Sequence, residues 1–460
     1  MLCRAQNTNQ LAFPYLHLRT TSTRMPDPAV ERRQLFRVAW PIIISNLAAP
    51  MLGLVDTGVI GNLGDAALIG AIALGALIFS FLYWGFAFLR MGTTALVAQA
   101  AGARDQPGLQ IAVLRALILG LAIGGVLIAL REPLAQLAFE ITDGSQAVES
   151  ASREYFLIRI WGAPLFLAHL ALLGLFLGTQ ATRALLVLQL LLNGTNIVLD
   201  IIFVVLLGWG VAGVAAATVI AEALAVGVGS AMALRRYPSA LRYFSNLMDR
   251  RALRRMFAMN ADIMVRTLSL TFGFAWFTNQ GAKSGDTVLA ANAILMQFVS
   301  FSAFFLDGFA LATEARVGHA TGATNADRLR ATVRAAAELS VVSSLILGAL
   351  FWISGPAIIR LLTNVTEVIV ACEAYLPWVI AAPAVSLWSY LLDGIFIGAA
   401  RTREMRNAML ASLAIYLATW WLLRNQGNHG LWLALMVFFV VRAGTLAVFL
   451  PRIIPFRPAR

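Results

Sequence analysis

The chain reads as a succession of long apolar runs, each about the length of a membrane-crossing helix, separated by short segments rich in Gly, Pro and charge. A helix that crosses the hydrocarbon core needs about 20 mainly apolar residues, because no water is present there to bond its backbone. Runs that meet this need lie near residues 35–60, 66–89, 108–130, 155–178, 184–207 and 211–234. A second set lies near 256–281, 287–312, 331–353, 375–399, 405–424 and 430–450. The pattern predicts an all-α integral membrane protein of twelve transmembrane helices.

The second half repeats the first. Thr93 to Ala103 (TTALVAQAAGA) returns as Thr313 to Ala323 (TEARVGHATGA), and Gly174 to Arg183 (GLFLGTQATR) returns as Gly394 to Arg403 (GIFIGAARTR), both at a spacing of about 220 residues. Two matches in one register are not expected of unrelated apolar stretches. Six spans per repeat is an even number, so both halves enter from the same side. The two six-helix lobes are then related by a parallel pseudo-two-fold repeat about the membrane normal, the arrangement of a carrier with a cavity between its bundles. The expected organisation is an N-terminal extension over 1–30 that is disordered or a mis-assigned start, a six-helix lobe over 31–234, a cytoplasmic linker over 235–251, a second six-helix lobe over 252–452 and a cytoplasmic tail over 453–460.

Composition narrows the class further. Hydrophobic residues make up 60% of the chain and charged residues only 13%, against about 25% charged in soluble domains, so no separate soluble domain fits. The net charge of +12 raises the question of nucleic acid, but its placement gives a different answer. Arginine is dense before the first span (Arg32, Arg33, Arg37), between the sixth and seventh (Arg235 to Arg255) and between the tenth and eleventh (Arg401, Arg403, Arg406). The odd-numbered connections are acidic instead, with Asp65, Glu132, Glu140, Asp286 and Glu367. This is a topology signal that puts both termini in the cytoplasm of a multi-pass protein of the inner membrane. A nucleic-acid surface would need one contiguous basic face, which hydrocarbon spans interrupt. Cys3 and Cys372 are too few and too distant for a disulfide framework or a metal cluster. Residues 1–24 carry Arg4, Arg19 and Arg24 without an apolar core, and Met25 is the expected initiator.

An ionisable side chain at the centre of a spanning helix costs at least about 2.5 kcal/mol unless it faces a cavity or a partner. The first half has Asp56, Asp200 and Glu222 in its spans, and the second has Asp307, Glu314 and Asp393. Asn196 and Asp200 are four residues apart in NIVLDIIFV, so a helix stacks them on one face. Thr218, on the small-residue stretch AGVAAATVIAE, adds a hydroxyl where helices can approach closely. With Asp56 these make a cation- or proton-binding constellation, and Asp307 and Asp393 are the second-lobe candidates. Asp262 and Arg266, also four apart, are expected to pair structurally, and Glu222, Glu314 and Arg316 to serve packing. Pro41 and Pro50 interrupt the first span and make it a candidate hinge. His169 falls mid-span, where a hydrogen-bonded imidazole is expected. No GxxxxGKST loop, HExxH pair or GxSxG turn is present, so the chain reads as a transporter driven by a gradient, not as an enzyme, and needs no cofactor or metal.

Several passages together resemble the multidrug and toxic compound extrusion (MATE) family, and within it the DinF-like branch. They are LGLVDTGVIGNLG at Leu52, FLRMGTTALVAQAAGARD at Phe88, NIVLDIIFV at Asn196, LDGFA at Leu306 and YLLDGIFIGAARTREMRN at Tyr390. The resemblance implies two lobes around a V-shaped cavity and export of organic, often cationic, compounds in exchange for protons or sodium ions, by a carrier that can work as a monomer. It places Asp56, Asn196, Asp200 and Thr218 on the family's N-lobe cation site and Pro41 on the first-helix proline associated with bending. Leu52 stands where some relatives have a tyrosine, which removes a hydroxyl from that site. The second-lobe acids of a sodium-coupled branch have no clear match, since Asp262 comes too early in its span. Proton antiport is therefore the leading expectation, with sodium coupling the alternative. A lipid-precursor flippase is a rival that calls for several arginines at mid-membrane depth, and the arginines are expected mainly at the cytoplasmic ends. A non-transporting scaffold leaves the buried acids unexplained.

Overall fold

The helix ends are set by side chains placed at matching points of the two repeats. In the computed structural model, Asp105 Oδ1 accepts from the Gly108 amide at 2.9 Å, and Asn325 Oδ1 accepts from the Arg328 amide at 2.9 Å. Each satisfies an amide that the first turn of a helix leaves unbonded. The residue just before each cap, Arg104 (φ 59°) and Thr324 (φ 51°), is left-handed, as are Gln180 (φ 55°) and Ala400 (φ 54°) at the next pair of equivalent turns. These are unfavourable conformations for residues with a Cβ, and they recur at the repeat offset.

The structure describes residues 27–61, 66–141, 146–238, 243 and 247–454; for 48–61, 66, 67, 69, 141 and 147 it describes the backbone alone. The N-terminal lobe comprises α1 (Pro28–Gly61), α2 (Ala66–Trp84), α3 (Phe88–Gly102), α4 (Gln106–Ala129), α5 (Arg131–Ile141), α6 (Gln146–Arg159), α7 (Ala163–Gly178), α8 (Thr182–Asp200) and α9 (Gly210–Arg236). The C-terminal lobe comprises α10 (Arg250–Lys283), α11 (Asp286–Gly322), α12 (Ala326–Leu362), α13 (Thr366–Gly398), α14 (Thr402–Leu423) and α15 (Gly427–Phe449). Every run expected to span falls on helix, two of them on broken ones: the second on α2 and α3, the fourth on α6 and α7. Among the described residues, nine helical stretches are long and apolar enough to cross a membrane, one of them, Thr402–Arg452, taking in both α14 and α15. No strand occurs among the described residues. Large apolar side chains such as Leu206, Trp352 and Leu361 point outward, a surface suited to lipid tails.

Within each lobe the same pair of helices is pressed together, α3 on α7 and α11 on α13. Glycine allows it. A Cβ on Gly178 would stand 2.9 Å from the Thr94 carbonyl oxygen, and one on its repeat equivalent, Gly398, would collide with the Glu314 carbonyl oxygen. Small residues at such crossings let backbones approach where no hydrophobic force drives association. Between lobes α3 packs on α11 and α10, and α1 packs on α11 and α12, so α1, α3 and α11 carry much of the boundary.

Candidate functional site

The expected N-lobe constellation is assembled by α8 and α9. Asn196 and Asp200 lie on one face of α8, 1% and 0% exposed, and Asn196 Nδ2 donates to Thr218 Oγ1 at 3.2 Å. The Thr218 hydroxyl in turn donates to the Val214 carbonyl at 2.9 Å, which orients its oxygen lone pairs towards Asn196. Directly after Asp200 the backbone widens into a π-helical segment over Ile201–Leu206, a local geometry that frequently marks functional positions. Asp56 and Pro50 belong to α1 by their backbone, and their side chains lie outside the described residues. Pro41 sits inside α1, close to where α1 meets the other lobe: Asn46 Nδ2 donates to the Phe304 carbonyl at 3.3 Å.

The second-lobe candidates lie in a denser setting. Asp393 on α13 accepts through Oδ2 from two guanidinium groups, Arg266 on α10 and Arg442 on α15, and all three residues are buried. Asp307 on α11 faces a cavity of about 20 Å³, which it lines with Arg90, Arg266, Glu314, Tyr390 and Asp393. That is room for about one water molecule. Arg90 belongs to α3 of the other lobe, and its Nη1 is 3.9 Å from Glu314 Oε2.

One expectation is corrected. Asp262 does not pair with Arg266. It accepts from Arg406 Nη1 at 2.6 Å and from the Thr402 hydroxyl at 3.1 Å, because α14 packs on α10 and offers a better-aimed partner than the next turn of the same helix. The arginines, expected mainly at the cytoplasmic ends, include four that lie elsewhere. Arg90, Arg159, Arg266 and Arg442 are buried or nearly so within the bundle. The cost argument that singled out acids within apolar runs applies equally to arginines, and that signal was available at all four positions.

The other titratable side chains are held in place. Glu222 takes a two-point bond from Arg159, at 2.6 and 3.1 Å, beneath the rings of Phe79 and Tyr83. Arg316 bonds Glu31 and Gln34 of α1, not Glu314. His169 Nε2 is 3.0 Å from Gln189 Oε1. His319, which no motif singled out, reaches across the lobe boundary to the Gly178 carbonyl at 2.8 Å.

Comparison with known proteins decides the class. The family model described as MatE matches this chain twice, over residues 41–202 and 263–421, once in each lobe. The chain belongs to the MATE family. It is 42% identical over 419 residues to the DNA damage-inducible protein F of Escherichia coli (strain K12), covering 90% of this chain and 91% of that protein, which places it in the DinF-like branch. It is 28% identical over 421 residues to the "Probable multidrug resistance protein NorM" of Deinococcus radiodurans, covering 86% and 88%. The fold matches a crystal structure of the Vibrio cholerae MATE transporter VcmN, with a TM-score of 0.83 at 20% identity over 93% of this chain and 98% of that one. A MATE protein is a multi-pass membrane transporter of small molecules, not an enzyme.

Proposed function

We propose that this transporter exports organic cations and amphipathic compounds by antiport with protons, as a monomer in the inner membrane with both termini in the cytoplasm. The observation that carries the reading is Asp200, fully buried on one face with Asn196, beside the α9 hydroxyl of Thr218 and at the start of a π-helical segment. In low-dielectric surroundings the ionised carboxylate is disfavoured, while a nearby cation restores it. Proton and cationic cargo therefore compete for one charge. A helix whose ladder is already widened next to that charge can change its packing at small cost. Exchange drives transport because the two conformations of the carrier hold the proton with different affinity.

The arginine-dense connections before the first span and after the sixth and tenth support this orientation. Bonds between the lobes, such as Gln99 to Gly398, His319 to Gly178 and Arg316 to Glu31, support a reading of this state as closed at the arginine-rich end. The test is efflux from reconstituted vesicles with proton and sodium gradients imposed one at a time. Wild-type protein is expected to respond to the proton gradient, and Asp56→Asn and Asp200→Asn to lose that response. Unchanged efflux by both variants at equal abundance would falsify the assignment.

Buried arginines give a second reading its footing, since a flippase for anionic lipid precursors calls for cationic groups at mid-membrane depth. Each of the four is matched here by an acid: Arg90 by Glu314, Arg159 by Glu222, and Arg266 and Arg442 by Asp393. With Asp307 on the same wall, the cavity offers no excess positive charge, and cation export stands ahead.

A further inference from the structure

The boundary between the lobes holds one feature that the N-lobe constellation does not use. Arg90 comes from α3 of the N-terminal lobe, and Glu314 and Asp307 come from α11 of the C-terminal lobe. Asp307 and Glu314 are two turns apart on the same face of α11, and both line the small cavity. Glu314 is 1% exposed, yet its Oε1 has no hydrogen-bond partner among the described residues, and neither has Arg90 Nη1. The two groups face each other at 3.9 Å, within ion-pair range but beyond hydrogen-bond contact. Behind them, Asp393 is held by both Arg266 and Arg442. Tyr390 completes the wall, so each helix that lines the cavity, α3, α10, α11 and α13, contributes a charged or titratable group. Arg266 and Arg442 are committed to Asp393; Arg90 is the cation that stands on the opposite lobe.

Resting on the antiport reading above, we propose that Arg90 is a built-in counter-cation for Glu314 and Asp307, and that these two acids are a second cation site at which cargo or a proton takes its place. The reason is geometric. An ion pair within one lobe travels with that lobe and is indifferent to the state of the carrier. A pair that spans the boundary exists only while the lobes meet at their arginine-rich end, so it stabilises that state alone. When the lobes part there, Arg90 leaves with α3, and the α11 carboxylates are left in a low-dielectric wall without their cation, a costly arrangement unless another positive charge arrives. A cationic substrate entering from that side supplies it. Closing the lobes brings Arg90 back, which displaces the substrate toward the other face. A proton on Glu314 then cancels the attraction and lets the lobes part again.

The test uses full-length protein in lipid nanodiscs, with Cys3 and Cys372 replaced by Ala and spin labels at Arg183→Cys and Arg403→Cys. These exposed residues are repeat equivalents near the starts of α8 and α14, one on each lobe. Acidification, or addition of tetraphenylphosphonium as a lipophilic cation, is expected to lengthen the distance between labels. Glu314→Gln is expected to lengthen it at the outset, to blunt its response to acid and to weaken tetraphenylphosphonium binding several-fold. Arg90→Gln is expected to lengthen it as well but to tighten tetraphenylphosphonium binding, and Arg90→Lys to behave as wild type. Opposite signs for the two partners are the signature, since a merely structural pair moves both variants alike. Wild-type responses in Glu314→Gln, or weaker binding in Arg90→Gln, overturn the proposal while leaving proton-driven efflux through Asp200 intact. Loss of the antiport reading itself appears separately, as an absence of gradient-driven transport by unsubstituted protein.

Discussion

Gln99 and His319 occupy equivalent positions of the two repeats and make the same bond across the lobe boundary in opposite directions. Gln99 Nε2 donates to the Gly398 carbonyl at 3.0 Å, and His319 Nε2 to the Gly178 carbonyl at 2.8 Å. The acceptors are themselves repeat equivalents. A carbonyl can only accept, so the ring is fixed with its hydrogen on Nε2. The pseudo-two-fold axis is therefore expressed in hydrogen bonds as well as in helix order, at the point where the two lobes close on each other.

Because glutamine performs this task in one lobe, His319→Gln should be tolerated in the other. Transport is expected to stay within about twofold of wild type. His319→Leu removes the donor and leaves the Gly178 carbonyl without it, at a cost of about 1–3 kcal/mol to the closed state. Comparing efflux and thermal stability of the two variants checks this; equal loss in both would show that the imidazole matters for another reason.

Gly322 closes the same seam. A Cβ there would collide with the Gln99 carbonyl oxygen, a backbone atom of the other lobe. Gly322→Ala is expected to cost about 1–3 kcal/mol through overpacking and to expose the arginine-rich end to thiol reagents at a cysteine introduced nearby. Gly444→Ala, where a Cβ meets open space, serves as the control and should change neither reading.

Arg159 and Glu222 form a buried pair in which each group satisfies the other. Removing one partner strands a charge, so Arg159→Met and Glu222→Leu should each destabilise the protein by about 3–5 kcal/mol, whereas the double substitution should recover most of the loss. A thermodynamic cycle on detergent-purified protein measures the coupling. Additive losses would mean that the pair does not act as a unit.

In the N-lobe constellation, Asn196→Ala removes one neutral hydrogen bond, worth about 0.5–1.5 kcal/mol, and is expected to slow proton-driven efflux by about threefold to tenfold. Asp200→Asn removes the titratable group and is expected to abolish the response to the proton gradient altogether. Vesicle assays at matched protein abundance separate the two, and a milder effect for Asp200→Asn than for Asn196→Ala would reverse their roles.

The juxtaposition of Asn196, Asp200 and Thr218 was legible in the sequence because these residues are local: Asn196 and Asp200 share a helix face, and Thr218 lies on the next helix of a short hairpin. Arg266 is as local to Asp262 and yet does not pair with it, because nearness along one helix competes with better-aimed partners on packed neighbours. Asp393 draws Arg266 from α10 and Arg442 from α15, two helices far apart in the chain.

The sequence by itself determined that this is an all-helical membrane protein, that its halves repeat each other, and that certain acids sit in apolar runs. Each of these depends on periodicity, hydropathy or self-similarity, which are properties of the string. The tertiary structure decided which charge meets which, where α1, α3 and α11 join the lobes, and that Arg90 faces Glu314 from the opposite repeat. Ion pairing inside a bundle is settled by helix packing over tens of ångströms of folded distance, and the linear order of residues carries no record of it.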